Sequence, residues 1–222
     1  LTLDDLDASR ISGRRVLVRV DFNVPLEDGE VADATRLEES LPTLTELMRG
    51  GARLVLASHC GRPKGERKPE CSLRPVADEL ARLLGVPVAF ADDCVGPDAQ
   101  RAVGALGPGE VLLLENLRFH KEEKAGDEFF AGQLAEHGDV YINDAFGTAH
   151  RAHASTSVIA RFFPHDKLFG FIMENEIDHI DKVLDTPIAP VTAIIGGAKV
   201  SSKITILENL VKKVDHIIIG GG

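Results

Sequence analysis

The sequence predicts a doubly wound α/β fold: a Rossmann-like three-layer parallel-sheet domain, followed by the beginning of a second α/β domain. Three observations carry this. Short β-branched apolar runs recur along the chain, amphipathic stretches at helical spacing separate them, and the runs are apolar throughout rather than alternating. Continuous apolar strands between helices belong to a parallel sheet covered on both faces.

RRVLVRVDF (14–22) reads as the first strand. From Arg36 to Met48, Leu37, Leu41, Leu44, Leu47 and Met48 share one helical face, and Gly50-Gly51 stop the helix. ARLVLAS (52–58) is the second strand, after which Ser72 can cap a helix carrying Leu73, Val76, Ala77, Leu80, Leu83 and Leu84. The alternation continues with VPVAF (86–90), a helix from Pro97 to Leu106, VLLLE (111–115), a helix from Asp127 to Glu136, and DVYIND (139–144).

A long helix follows, with Phe169, Ile172, Met173, Ile177, Ile180, Val183 and Leu184 at helical spacing, and TPIAP (186–190) breaks it. VTAIIGG (191–197), a helix from Ser201 to Val214 and HIIIGGG (216–222) form a fresh strand–helix–strand unit. Alone, such a unit cannot cover both faces of its strands. The expected division is therefore a first domain over 1–168, a connecting helix and hinge over 169–190, and the start of a second domain over 191–222.

Composition narrows the function. With 25 Lys+Arg against 35 Asp+Glu the net charge is −10, which argues against general nucleic-acid or anionic-membrane binding, because those partners need a positive surface field. Cys60, Cys71 and Cys94 are odd in number and lack CxxC spacing, so a reducing, cytoplasmic setting is expected. No apolar run approaches membrane-spanning length, and the opening LTLDDLDASR is unlike a signal peptide.

In an open parallel sheet, ligands sit beyond the carboxyl ends of the strands. Asp21-Phe22-Asn23 follows the first strand, with Arg36 opening the next helix. Ser58, His59, Gly61 and Arg62 follow the second; Asn116-Leu117-Arg118 follows VLLLE; AFGTAHRAH, with His150, Arg151 and His153, follows DVYIND. Folding is expected to converge Arg36, Arg62, Arg118 and Arg151 on one rim. Guanidinium groups grip carboxylate or phosphate with paired hydrogen bonds, so the rim suits a small polyanion.

Blander roles stand beside these. Arg19, inside a strand, is either a carboxylate's partner or a site group. Lys64, Arg67 and Lys68 read as a solvated loop face, and His150 and His153 as hydrogen-bonded loop histidines. His59, Cys60 and Cys71 fit no common zinc spacing and lack a fourth ligand. In GGAKVSSK (196–203), Gly196 and Gly197 end a strand and open a helix, where backbone N–H groups can meet a phosphate, with Lys199 and Lys203 one turn apart. The Walker spacing is absent, and such a turn can also be a mere helix start.

Taken in order, RVDFNVP (19–25), Arg36, SHCGRP (58–63), LLENLRFHKEE (113–123), NDAFGTAHRAH (143–153) and GGAKVSSKI (196–204) closely resemble phosphoglycerate kinase, from about residue 13 to the last residue. The resemblance implies a two-lobed, usually monomeric enzyme of roughly twice this length. It moves a phosphoryl group between Mg-ATP/ADP and 3-phosphoglycerate or 1,3-bisphosphoglycerate. On this reading most of the nucleotide site lies beyond Gly222.

Carried over by motif, Asp21 and Asn23 orient the glycerate hydroxyl and carboxyl region, with Phe22 in the same substrate-binding stretch. The resemblance likewise implies that Arg36 reaches toward the transferring phosphoryl and the reacting carboxylate. His59, Arg62, Arg118 and Arg151 grip the fixed phosphate, flanked by Cys60 and Gly61. Lys199 neutralises charge on the phosphoryl in flight, and Lys203, with Gly196 and Gly197, contacts nucleotide phosphates. No metal ligand is assigned within the chain.

Two departures stand out: Cys60 where SHLGRP has Leu, and Ser202 where KVSDK has Asp. The alternatives are a phosphoglycerate-binding module without turnover, and a sugar-phosphate isomerase, which would need a general base at the rim and no ATP.

Overall fold

The computed structural model describes residues 2–3, 10–185, 187–196 and 204–220. They form two compact units, Leu1–Glu174 and Asn175–Gly222. The first unit opens with β1 (Arg15–Val20), a two-residue hairpin β2 (Leu26–Glu27) and β3 (Glu30–Val31), α1 (Thr35–Arg49), β4 (Arg53–Ala57), α2 (Arg74–Leu84) and β5 (Val88–Ala91). It continues through α3 (Pro97–Ala105), β6 (Val111–Leu114), α4 (Lys121–Ala125), α5 (Glu128–Ala135), β7 (Val140–Asp144), α6 (Phe146–Ala149) and β8 (Lys167–Phe169) to the first turn of α7 (Phe171–Leu184).

Six strands make one sheet in the order β5-β6-β4-β1-β7-β8, and every adjacent pair is parallel. β1 lies at the centre, where Val18 registers with Leu56 on one side and Ile142 on the other. The pleat sends successive side chains to opposite faces. Val16, Val18 and Val20 therefore join one core with Leu54, Leu56, Leu113 and Ile142, covered by α1 and α2 through Leu37, Leu44, Leu47, Val76 and Leu80. Leu17 joins the other with Val55, Leu112, Leu114 and Tyr141, covered by α3 and α5 through Val103, Phe130 and Leu134. This is the doubly wound α/β fold that the apolar runs predict. Each fully buried leucine contributes about 1.5–3 kcal/mol relative to leaving it in water.

Some elements differ from the expectation. The β2–β3 hairpin turns through Asp28 and Gly29 at φ of 52° and 84°, the left-handed pair that an Asp-Gly dipeptide favours. The N-cap of α2 is Leu73 and not Ser72, which lies one residue earlier; its Oγ accepts from Arg74 N at 3.2 Å and donates to Glu115 Oε2 at 2.7 Å. Phe169 ends β8 rather than opening α7, whose first turn is fixed by Phe171 N donating to Thr43 Oγ1 and Ile172 N to Asp144 Oδ1. The boundary between the compact units, after Glu174, falls inside α7.

In the second unit, β9 (Thr192–Gly196) pairs in parallel with β10 (His216–Gly220), and α8 (Ile204–Leu210) lies between them in sequence. Ile194, Ile218 and Ile219 are more than half exposed. Among the described residues, no helix is long and apolar enough to cross a membrane.

Candidate functional site

Beyond the carboxyl ends of β1, β4, β6 and β7 lies a cavity of about 230 Å³. Asp21 and Asn23 line it from the loop after β1, Arg36 from the start of α1, and His59, Gly61 and Arg62 from the loop after β4. Arg118 enters from the 3-10 turn Leu117–Phe119 after β6. Gly147, Thr148 and Arg151 close it from α6 and the residues after it.

Backbone and side-chain hydrogen bonds lock these loops together. Ser58 Oγ accepts from Phe22 N at 2.8 Å and donates to Val20 O at 2.9 Å, stitching the ends of β1 and β4. Asn23 Oδ1 accepts from Gly61 N at 2.8 Å, and Arg118 Nη1 donates to Gly61 O at 2.8 Å. Gly61 sits at φ 64°, and a Cβ there would lie 2.9 Å from Cys71 Sγ, so both backbone and space call for glycine. Asn116 Nδ2 donates to Cys60 O and Cys71 O at 2.7 and 2.8 Å, holding the loop from below.

The electrostatics are lopsided. Arg36 Nη1 donates to Asp21 Oδ2 at 2.8 Å, whereas Asp21 Oδ1 is buried without a hydrogen-bond partner among the described residues. Burial, then the neighbouring Arg19 and Arg151, hold the Arg118 guanidinium below its usual range. Burial and the cations Arg19 and Arg118 drive the His59 pKa down to about 2, so its ring is neutral. Crowded cations in a pocket with one nearby carboxylate make a site whose repulsion an anion would relieve.

The structure thus brings Asp21, Asn23, Arg36, His59, Gly61, Arg62, Arg118 and Arg151 to one cavity. It does not bring the side chains of Phe22 and Cys60 there: both are buried in the core that α1 and α2 cover. Thr148, Gly147 and Lys64 are additions. Lys64, which the sequence assigns to a solvated face, lines an adjoining cavity of about 280 Å³ with Lys124, Arg62, Arg118 and Arg151. Arg67 instead donates to Asp92 O at 2.6 Å and lies over the Phe119 ring.

His150 accepts from Arg151 Nε at 3.2 Å, and His153 is buried with Nδ1 3.9 Å from Glu123 Oε1. Neither lines the cavity. Asp93, Cys94 and His120 approach within 4.8 Å, but the Asp93 carboxylate already accepts from His120, Arg67 and Cys94 N.

Gly197, Lys199 and Lys203 lie outside the described residues. Gly196 registers with Gly220 at the ends of β9 and β10. Among the described residues, a Cβ on Gly220 would meet nothing within 4 Å.

An open parallel sheet with a cationic cavity beyond its carboxyl edge defines a doubly wound α/β protein of the anion-cavity kind. The family model described as phosphoglycerate kinase matches residues 3–222. A phosphoglycerate kinase of Moorella thermoacetica is 57% identical over 222 residues, covering 100% of this chain and 55% of that relative. One of Bradyrhizobium diazoefficiens is 54% identical over 221 residues, covering 100% of this chain and 54% of that relative. The solved phosphoglycerate kinase of Coxiella burnetii aligns with a TM-score of 0.85 at 36% identity, over 100% of this chain and 55% of that one. The chain belongs to the phosphoglycerate kinase family. It spans about half the length of the curated relatives it matches.

Proposed function

We propose that the chain takes part in reversible phosphoryl transfer between ATP and the carboxylate of 3-phosphoglycerate, giving 1,3-bisphosphoglycerate and ADP. The observation that carries this reading is the convergence of Arg36, Arg62, Arg118 and Arg151 on one cavity. Arg62, Arg118 and Arg151, with the neutral ring of His59, would grip the fixed phosphate. Asn23 and Asp21 would orient the glycerate end, and Gly61 would hold Asn23 and Arg118 in place through its own N–H and C=O. Arg36, already at the Asp21 carboxylate, would face the reacting carboxylate.

The acceptor carboxylate, with a pKa of about 4, is ionised at neutral pH, so no general base is required. The barrier is the meeting of two anions. Alignment and positive charge around the transferred group lower it. Bound Mg-ATP would supply that group; Gly196, Gly197 and Lys203 would hold its phosphates, and Lys199 would neutralise charge in transfer. Residues 1–168 would form the substrate domain, 169–190 the hinge, and 191–222 the start of the nucleotide domain. A monomer in the cytoplasm fits this role.

Titration calorimetry of the chain with 3-phosphoglycerate, run beside a coupled assay of ATP turnover, tests the proposal. Saturable 1:1 binding that Arg118→Ala abolishes is the expected result. Binding without turnover would leave the chain a phosphoglycerate-binding module, and no binding at low salt would sink the reading.

A further inference from the structure

Behind the cavity wall, Arg19 is 1% exposed in the middle of the sheet. Each of its three guanidinium nitrogens has a partner: Nε donates to Ser155 Oγ at 2.9 Å, Nη1 to Val20 O, and Nη2 lies 3.0 Å from His59 Nδ1. Ser155 is held in turn by the buried Glu123, whose Oε1 accepts from Ser155 Oγ at 2.6 Å and whose Oε2 accepts from Ser155 N at 2.9 Å. Because the hydroxyl proton of Ser155 goes to Glu123, its lone pair is free to accept from Arg19. Tyr141 OH fixes the same residue by donating to Ser155 O at 2.7 Å.

Arginine carries only donors. The contact at His59 Nδ1 therefore requires that nitrogen to be an unprotonated acceptor, which leaves the proton of a neutral imidazole on Nε2. The rival arrangement, Nδ1–H donating to Asp21 Oδ1, has 4.0 Å to cross, beyond hydrogen-bond range. The groups facing His59 are Arg19 from β1, Asp21 from the loop after it, Arg36 from α1, Arg118 from the turn after β6, and His153. Three are arginines and one is a carboxylate, so the field opposes an imidazolium. Among the described residues Nε2 has no hydrogen-bond partner, while His59 lines the cavity.

We propose that Arg19 is a positioning residue: anchored by Ser155 and Glu123, it fixes His59 as the Nε2–H tautomer, a standing hydrogen-bond donor to an anion in the cavity. The tautomer follows from contacts within the chain. The donor's use toward 3-phosphoglycerate rests on the function proposed above.

Histidine-ring nitrogen NMR of the chain tests it, with the His59 signals assigned by their loss in His59→Gln. The expected wild-type pattern is an unprotonated Nδ1 and a protonated Nε2, unchanged between about pH 5 and 8. Arg19→Met should give mixed tautomers, and Arg19→Lys, also donor-only, should restore the single form. A wild-type ring protonated on Nδ1, or titrating within that range, overturns the inference even if no Arg19 variant folds. So does a folded Arg19→Met with the Nε2–H pattern intact. Added 3-phosphoglycerate should shift the Nε2–H resonance. An intact tautomer with no shift would refute the proposed ligand while leaving the role of Arg19 standing.

Discussion

Asp144 and Gly170 share one corner of the fold so closely that a Cβ built on Gly170 would lie 2.3 Å from Asp144 Cγ. The Asp144 carboxylate needs that space: its Oδ1 accepts from Ile172 N at 2.9 Å and Met173 N at 3.2 Å, fixing the first turn of α7. Gly170→Ala should therefore destabilise the protein by roughly 1–3 kcal/mol, read by urea unfolding. Gly104→Ala is the contrast. It lies inside α3 with nothing within 4 Å of an added Cβ, and should stabilise by roughly 0.5–1 kcal/mol. An equal effect at both positions would refute the packing argument.

Stability should fall as the solution is acidified below about pH 6.5. His59 has a folded pKa of about 2 against an ordinary 6.5, so between those values the unfolded chain binds the extra proton. Stability is then present above the unfolded value and lost progressively as pH drops, at up to about 1.4 kcal/mol per pH unit from this one group. Burial lowers His137 and His153 as well, with the same sign. Unfolding free energies between about pH 7 and 5 should show a shallower slope in His59→Gln; an unchanged slope would exclude His59 as a contributor.

Arg62→Ala or Arg151→Ala should weaken 3-phosphoglycerate binding, and the loss should shrink as salt rises, because salt screens a partly exposed cation's contribution. Arg67→Ala, whose guanidinium is committed to Asp92 and Asp93, should leave affinity unchanged. Calorimetry across ionic strengths separates them. Undiminished affinity in Arg62→Ala at low salt would remove that residue from the site.

For Arg36 the expectation is different in kind. In a full-length protein carrying this chain, Arg36→Ala should lower kcat by about 10²-fold or more, the usual effect of deleting one donor aimed at developing charge. KM for 3-phosphoglycerate should change far less. Steady-state kinetics decide it, and parallel losses in both would reassign Arg36 to simple binding.

Much of this architecture was legible because its physics is local. β1, β4, β6 and β7 announce themselves as apolar runs, and a parallel sheet places all their carboxyl ends on one edge. That is why Arg36, Arg62, Arg118 and Arg151 could be placed on one rim from order alone. Side-chain direction was not legible in the same way. Phe22 and Cys60 stand inside motifs whose neighbours line the cavity, yet both turn inward to the core, where their apolar surface is buried. Lys64 reaches an anion-sized cavity from φ 61°, a backbone setting that nothing in GRPKG specifies. β8 is three residues long, too short for its pattern to separate from the helix after it. Arg19, left between two roles by its letters, took its meaning from Ser155, a residue 136 positions away.

The central position of β1 bears on how the chain is made. Arg15 meets Asp139 across a separation of 124 residues. At synthesis rates of roughly 5–20 residues per second, β1 waits on the order of ten seconds for β7, its second neighbour after β4. During that interval one edge of β1 stands unpaired on a ribosome-tethered chain, and the anion cavity, whose Arg151 wall is not yet translated, has no existence at all.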